Sequence, residues 1–205
     1  VNMTTKSLTA RNNDLANTEK QLEILSNGIF MNGELPTFAN KIKETNQFPL
    51  RPKKLEILQI NLGYMCNQVC AHCHVDAGPD RKEIMTLTTM QQCIKVIKNT
   101  GAHTLDLTGG APEMNPNFRW FVEEASNAGI KDFIVRSNLT IIRANKKYHD
   151  LPEFFKKHNI HVVSSMPHWT RGKTDKQRGN GVFDKSIKAL QLSLIHISEP
   201  TRLTM

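Results

Sequence analysis

Three closely spaced cysteines constrain this chain more than any other feature of its sequence. Cys66, Cys70 and Cys73 lie in the segment Cys-Asn-Gln-Val-Cys-Ala-His-Cys, so the backbone between them must form a compact loop. Cysteine thiolates are the usual protein ligands of iron-sulfur clusters. Because a 4Fe-4S cube has four irons, three cysteines can hold it and leave one iron free to bind a small molecule. The spacing therefore predicts a cluster-binding loop with one open coordination position.

A mononuclear zinc site is the main alternative for the same cysteines. Structural zinc takes four ligands, commonly as pairs with two residues between the members. Cys70 and Cys73 could form one such pair, and His72 or His74 could then complete a site with Cys66. Ligands so close in sequence would strain the tetrahedral geometry, which favours the cluster. Disulfide bonds are disfavoured, because a total of 4 cysteines suits a reducing cytosol.

A second segment supplies what a ligand on an open iron would need. Alternating apolar residues predict a strand that ends near Thr108, and the strand is followed by Gly109-Gly110-Ala111-Pro112. We expect the two glycines to let the backbone approach a ligand, and the backbone carbonyls to accept hydrogen bonds from a bound amino group. An ordinary strand-to-helix turn is the alternative for this segment taken alone.

Both segments resemble known enzyme motifs. Cys-x-x-x-Cys-x-x-Cys is the pattern of radical S-adenosylmethionine (SAM) enzymes, and the second segment resembles their Gly-Gly-Glu-Pro motif, with Ala111 in place of the glutamate. Residues 36–191 further resemble the arsenosugar biosynthesis radical SAM protein family, also called radical SAM/Cys-rich domain proteins. Besides the cysteines, this resemblance rests on the runs 61–64, 74–79, 106–120, 136–140, 150–154 and 178–183.

The resemblance implies a radical SAM enzyme that holds a 4Fe-4S cluster on Cys66, Cys70 and Cys73. The open iron would bind the amino and carboxylate groups of SAM, and one electron would then release a 5′-deoxyadenosyl radical. Flavodoxin or ferredoxin would supply that electron. The family implies adenosylation of a dimethylated trivalent arsenical. Modification of a peptide or another thiol-rich substrate and a non-catalytic iron-sulfur module are the alternatives.

The resemblance also implies contacts between the protein and SAM. The segment after the second strand is expected to line the methionine end of SAM. The ends of the third and fourth strands are expected to contact its ribose. The residues concerned are Gly109, Gly110, Ala111 and Pro112 for the methionine, Asn138 and, more weakly, Ser137 and Ser165 for the ribose, and His72 for the adenine.

Four further residues have two interpretations each. Arg136 could pair with the carboxylate of SAM or form a surface ion pair. Asp76 and Glu113 lie near the predicted site, and we favour a role in capping the turns that follow them. Cys93 lies on the apolar face of a predicted helix, which indicates a core residue more than a ligand.

Composition bounds the fold and the class of partner. With 39% hydrophobic residues the chain can bury one core, and no run approaches the roughly 20 apolar residues of a membrane span. The net charge of +8 is spread over lysines from Lys6 to Lys188, which indicates a solvated basic surface and no nucleic-acid site. No secretory signal is visible. We therefore expect a cytoplasmic protein that binds no membrane.

Strand and helix patterns alternate after a polar N-terminal extension, residues 1–35. Periodicity predicts strands at 55–61, 104–107, 133–136 and 161–165, and helices at 86–99, 117–127, 151–158 and 183–191. Such alternation builds a parallel sheet with ligands at the carboxyl ends of its strands. Combined with the resemblance, it predicts an α/β fold with a radical SAM core at 36–191, a partial (βα)6 barrel that stops after about four strands.

The end of the chain carries a different pattern. Residues 192–202 look like the translation of a sequencing adapter, and a natural helix end with a proline-containing tail is the alternative. On the first interpretation native sequence stops near Gln191, and residues 192–205 are a non-native tail. We would then expect the Cys-rich C-terminal domain to be absent and the sheet to end in an open edge.

Overall fold

A computed structural model describes residues 6–13, 16–27, 38–196 and 203–204. They divide into two compact units: Leu8–Leu55, and a larger unit that runs from Glu56 onward and includes Ser7. The division falls after Leu55, whereas the sequence places a boundary after residue 35. The domain boundaries stay a prediction.

Among its described residues, the smaller unit contains two short α-helices. Helix α1 spans Thr18–Asn27, in the region where the sequence predicts one weak amphipathic helix. Leu15, which belongs to that pattern, lies outside the described residues. Helix α2 spans Phe38–Glu44 and buries none of its side chains.

The larger unit is built on a parallel sheet whose strands follow sequence order. Its main strands are β1 Ile57–Asn61, β2 Thr104–Thr108, β3 Asp132–Ser137 and β4 Ile160–Ser165. A two-residue strand, β5 Leu203–Thr204, pairs only with Ser164 and Ser165 at the end of β4. The expected open edge is therefore partly covered, by residues of the segment predicted to be a non-native tail.

Helices connect the strands and cover the sheet. They are α3 Leu87–Thr100, α4 Phe118–Asn127, α5 Leu151–Lys157, α6 Arg171–Arg178 and α7 Val182–His196. The Thr86 hydroxyl caps α3 by accepting a hydrogen bond from the Thr89 amide at 3.2 Å. Gly101 ends the same helix at φ +67°, a left-handed conformation that favours glycine. Helix α7 continues past Gln191, and residues 197–202 lie outside the described part of the chain.

The core lies between β2 and the helices beside it. Leu105 and Leu107 of β2 are completely buried, and Phe121 of α4 is as well. Burial of each such side chain stabilises the fold by about 1.5–3 kcal/mol. The predicted α/β fold with consecutive parallel strands is confirmed. In the described ranges, no helix has both the length and the apolar character that a membrane crossing requires.

Candidate functional site

A cavity of about 260 Å³ opens at the carboxyl ends of the strands in the larger unit. We call it the thiol cavity, because Cys66, Cys70 and Cys73 all line it. Another part of the wall comes from the ends of three neighbouring strands. These residues are Thr108 and Gly109-Gly110 at β2, Arg136 to Asn138 at β3, and Val163 and Ser165 on β4. The structure therefore brings the two sequence motifs together at the edge where parallel strands present ligands.

The two glycines hold the backbone just before Cys66. The Gly110 amide donates to the Gly63 carbonyl at 2.9 Å, and the Ala111 amide donates to the Met65 carbonyl at 2.9 Å. A Cβ on Gly109, which has φ +132°, would lie 2.5 Å from the Gly63 oxygen, and one on Gly110 would collide with the Met65 oxygen. Glycine is therefore required at both positions because the neighbouring backbone leaves no room for a Cβ, whether or not a ligand is bound.

Asn138 ties the end of β3 to the cysteine segment. Its Nδ2 donates to the Asn67 Oδ1 at 2.8 Å and to the Cys66 sulfur at 3.5 Å. Its Oδ1 accepts hydrogen bonds from the Thr140 hydroxyl and the Ile141 amide, at 3.0 and 3.1 Å. The side chain lines the thiol cavity while its polar atoms hold the loop. A contact with a ribose hydroxyl stays a prediction.

Arg178 is a wall residue that sequence analysis did not single out. It is 95% buried, as its relative exposure is 5%, and its Nη2 donates to the Gln68 Oε1 at 2.9 Å. The same Gln68 oxygen lies 3.8 Å from the Cys70 sulfur. The only sequence signal for Arg178 was its place in the run 178–183, which supports the family resemblance.

Burial makes the thiols poor anions when they have no cationic partner. Burial, with smaller contributions from the neighbouring Cys70 and Cys73 thiols, raises the pKa of Cys66 to about 11. Burial likewise raises the pKa of Cys70, although the positive charge of Arg178 opposes this shift. Thiols must lose their protons to bind a metal, so the binding partner has to supply strong positive charge.

These residues fit a 4Fe-4S cluster. Cys66, Cys70 and Cys73 are all free thiols, and each thiolate of a cubane site binds its own iron. A mononuclear site makes a different demand, because its ligands must converge on one ion. Within the described residues, no group of three or more His, Cys, Asp or Glu side chains could hold a single metal ion. Cys93 packs against the core from α3, as its helical position predicts.

The other predicted cofactor residues divide into two groups. His72, Ser137 and Ser165 line the thiol cavity beside the glycines. Ala111 and Pro112 are buried and do not belong to its wall. Burial, with help from Arg178 and His74, lowers the pKa of His72, so its ring stays neutral at pH 7. These contacts with SAM stay predictions.

The exposed side chain of Arg136 forms an ion pair with a buried carboxylate. Its guanidinium lies 2.8 Å from the Asp106 carboxylate, which is buried on β2, and this supports the ion-pair interpretation over pairing with SAM. The pairing also raises the pKa of Arg136.

The capping role expected for Glu113 is wrong. Both of its carboxyl oxygens are buried without a hydrogen-bond partner among the described residues. Burial raises the pKa of this carboxyl to about 7, and the nearby Ser137 hydroxyl opposes the shift only partly. Asp76 has φ +49°, and its carboxylate lies 3.2 Å from the Arg81 guanidinium.

Sequence comparison finds distant relatives of this chain among known proteins. No family model matches the chain. A probable GTP 3′,8-cyclase of Saccharolobus islandicus (strain M.14.25 / Kamchatka #1) is 24% identical over 143 residues, which cover 69% of this chain and 44% of the relative. A probable GTP 3′,8-cyclase of Sulfolobus acidocaldarius is 26% identical over 86 residues, or 42% of this chain and 28% of the relative. The chain thus spans less than half the length of these relatives.

Solved structures resemble the chain over most of its length. Streptococcus suis SuiB bound to the precursor peptide SuiA superposes with a TM-score of 0.58 at 18% identity, covering 77% of this chain and 33% of SuiB. The anSMEcpe protein with bound AdoMet superposes with a TM-score of 0.56 at 18% identity, covering 70% of this chain and 41% of the other. SuiB has also been crystallised with S-adenosylmethionine, so both of these structural neighbours bind SAM. The chain therefore has the fold of the radical SAM enzymes, as a partial barrel.

Proposed function

We propose that this chain binds a 4Fe-4S cluster and SAM, and that it adenosylates a methylated trivalent arsenical as a radical SAM enzyme. The observation that carries the cofactor assignment is the thiol cavity, where three free thiols face the glycine segment at the carboxyl ends of the strands. Support for the arsenical comes from the resemblance of residues 36–191 to the arsenosugar family. We place the reaction in the cytoplasm, where free thiols persist.

The residues of the cavity have distinct roles in this proposal. Cys66, Cys70 and Cys73 hold three irons, and the strand ends that line the same cavity hold SAM. When bound, the cluster supplies one electron and SAM supplies the 5′-deoxyadenosyl group. The chain positions these groups and keeps water from them. Ser137 and Ser165 stand at the ends of neighbouring strands and line the cavity, where they would contact the ribose of SAM.

Two measurements test the cofactor part. Anaerobic reconstitution with iron and sulfide should give about four irons per chain and a paramagnetic signal after reduction. With dithionite as the electron donor, the protein should then cleave SAM to methionine and 5′-deoxyadenosine. A stable colourless zinc protein would contradict the cluster, and a cluster that never cleaves SAM would favour a non-catalytic iron-sulfur module.

The substrate part needs a separate assay. Reduced protein is incubated with SAM and dimethylated trivalent arsenic, and products are separated by mass. An adenosylated arsenical supports the proposal, whereas 5′-deoxyadenosine alone in the presence of the arsenical counts against it.

Peptide modification is a second candidate, favoured by one observation. SuiB, which superposes over 77% of this chain, has been crystallised with its precursor peptide. If the arsenical is the substrate, the mass of a thiol-containing peptide should not change when the peptide is incubated with the reduced protein and SAM. A modified peptide would favour the second candidate.

A further inference from the structure

A second cavity, of about 950 Å³, adjoins the thiol cavity. Gln68 and Arg178 belong to the walls of both. The second wall also includes Asn67 and Val69, which are chain neighbours of Cys66 and Cys70. The cysteine segment therefore separates the thiol cavity from a surface that a partner can reach.

The surface of this second cavity is strongly positive. Arg143, Lys185 and Lys188 line it and are exposed to solvent. None of the three lies within ion-pair distance of a carboxylate in the described part of the chain. Asp184 also lines the cavity, but its carboxylate already pairs with the Arg171 guanidinium at 2.8 Å. We call the three exposed cations the basic rim.

We propose that the basic rim is the docking surface for an acidic one-electron carrier protein. This inference rests on the proposed function, because only a cluster that must be reduced needs such a partner. Charge complementarity identifies the partner, since opposite charges raise the rate of protein encounter by about 10 to 1,000-fold at low ionic strength. The carrier loses one electron and the cluster gains it, and no covalent bond changes.

A protein partner fits the basic rim better than a small anion does. The innermost cation, Arg178, is buried and donates to Gln68 through Nη2, while its Nε has no partner within the described residues. The exposed cations are instead spread over the turn after β3 and the first turns of α7. An electron that arrives there is one side chain from the cluster ligands, because the Gln68 oxygen lies 3.8 Å from the Cys70 sulfur. The Gln68 amide also bonds the Thr140 hydroxyl at 2.9 Å, which fixes this contact.

The test compares two double variants of the reconstituted full chain. Lys185→Glu with Lys188→Glu reverses two charges of the basic rim on α7. Lys95→Glu with Lys98→Glu makes the same change in net charge, at the same spacing, on the exposed face of α3. The rate of cluster reduction is followed anaerobically at low salt, with reduced flavodoxin or with dithionite as the reductant.

We expect cluster reduction by flavodoxin to be about tenfold slower or more in the α7 variant, because the variant loses the electrostatic attraction that steers the acidic carrier to the basic rim. Its rate with dithionite should remain that of the unmodified chain, and the α3 variant should be unaffected with either reductant. Equal losses in both variants, or no loss in either, would overturn the proposal. If dithionite does not reduce the cluster in the unmodified chain, the result counts against the proposed function. A second measurement then tests the docking surface.

That second measurement needs no cluster. A carbodiimide joins lysines to carboxylates that touch them, so the protein is crosslinked to flavodoxin and the junctions are identified by mass spectrometry. Crosslinks at Lys185 or Lys188, lost at high salt, support the docking surface. Crosslinks confined to other lysines, or none at all, would overturn it.

Discussion

The two ends of the cysteine segment are held by different kinds of contact. At the Cys66 end, the thiol is buried, and the adjoining backbone bonds to segments far away in sequence, including Gly110 and Ala111. At the Cys73 end, the thiol is half-buried, and its bonds are local. The Cys73 amide donates to the Cys70 carbonyl at 3.1 Å, and the Cys73 sulfur accepts from the Ala77 amide at 3.3 Å.

This difference separates two tasks of a cluster-binding loop. The Cys66 end is fixed to β1, β2 and β3, so it sets where the cluster lies relative to the strand ends that would hold SAM. The Cys73 thiol depends on short-range bonds, although the Ala71 amide before it donates to the distant Gln177 carbonyl at 2.8 Å. Segments with few contacts to the core open at lower free energy than the core does. The Cys73 end can therefore adjust to the cluster as the cluster is inserted.

The largest effect is expected from removing single thiols. Cys66→Ala and Cys73→Ala should both abolish the cluster, because each removes one of three ligands. Only Cys66→Ala should also destabilise the cluster-free protein, by about 1 kcal/mol, because the Cys66 thiol is buried and the Cys73 thiol only half-buried. Iron content and urea unfolding measure the two effects, and Cys93→Ala is the control that should keep its iron. Equal unfolding free energies for Cys66→Ala and Cys73→Ala would remove the distinction between the ends.

A substitution at Gly110 tests whether backbone packing holds the Cys66 end. In Gly110→Ala the new Cβ would strike the Met65 carbonyl, so the loop must shift. We expect a loss of about 3 kcal/mol in the free energy of unfolding, together with poor cluster retention. Gly172→Ala is a matched control in α6, where a Cβ meets nothing within 4 Å. It should be neutral or slightly stabilising.

The result at Gly110 also separates two explanations for glycine. If Gly110 serves only to let SAM approach, its replacement should weaken SAM binding and leave the cluster and the stability unchanged. That outcome would contradict the role of backbone packing. A loss of cluster before SAM is added would support it.

Much of the fold could be predicted from sequence, because its signals are local. Predicted strands and helices agree with the observed ones to within about two residues at most ends, as at α3. Helix α6 was missed. Its sequence, Arg-Gly-Lys-Thr-Asp-Lys-Gln-Arg, has no apolar period, and only Thr174 and Arg178 are buried. Contacts with residues distant in sequence stabilise this helix, so its own short sequence does not predict it.

The site was predictable to the extent that its residues are close in sequence. The thiols and the glycine segment form contiguous motifs, and both line the thiol cavity. Asn138 was selected for a ligand contact, but its main partners are on the cysteine segment, 71 and 72 residues away. Arg178 bonds to Gln68 across 110 residues. Such pairings depend on how the chain folds, so spacing alone could not identify them.

Glu113 should make the stability of the Cys66 end depend on pH. It follows the glycine segment directly, and burial raises its pKa from 4.5 to about 7. The folded protein therefore holds this proton more tightly than the unfolded chain does. The resulting stability is complete below about pH 4.5 and is lost as the pH rises through about 7.

We expect the free energy of unfolding to fall by roughly 1–3 kcal/mol more over that interval in the unmodified protein than in Glu113→Gln. Urea unfolding of the cluster-free protein at a series of pH values measures the difference. Glu56→Gln, at an exposed position, is the control and should follow the unmodified curve. Parallel curves for Glu113→Gln and the unmodified protein would show that this carboxyl does not titrate within the interval.

The smallest effect is expected from replacing Arg81, whose side chain contacts the backbone just after Cys73. Its guanidinium donates to the Asp76 carbonyl at 2.7 Å and stacks over the Tyr64 ring at 4.7 Å. Lysine at this position keeps the charge but loses the planar fork. We expect Arg81→Lys to lower the free energy of unfolding by about 0.5–1 kcal/mol and to leave the iron content unchanged.

The control for this change is Arg119→Lys on α4. Arg119 also stacks over an aromatic ring, that of Phe154 at 4.8 Å, and pairs with the Asp150 carboxylate at 2.7 Å, whereas Arg81 pairs with both Asp76 and Glu83. Similar small losses of stability in both variants, with full iron in each, would mean that the Cys73 end tolerates adjustment while the cluster stays bound. Loss of iron in Arg81→Lys alone would mean that this end is held as strictly as the Cys66 end. The cluster would then be positioned from both sides, and the local bonds around Cys73 would have to be as rigid as the backbone contacts that Gly110 makes.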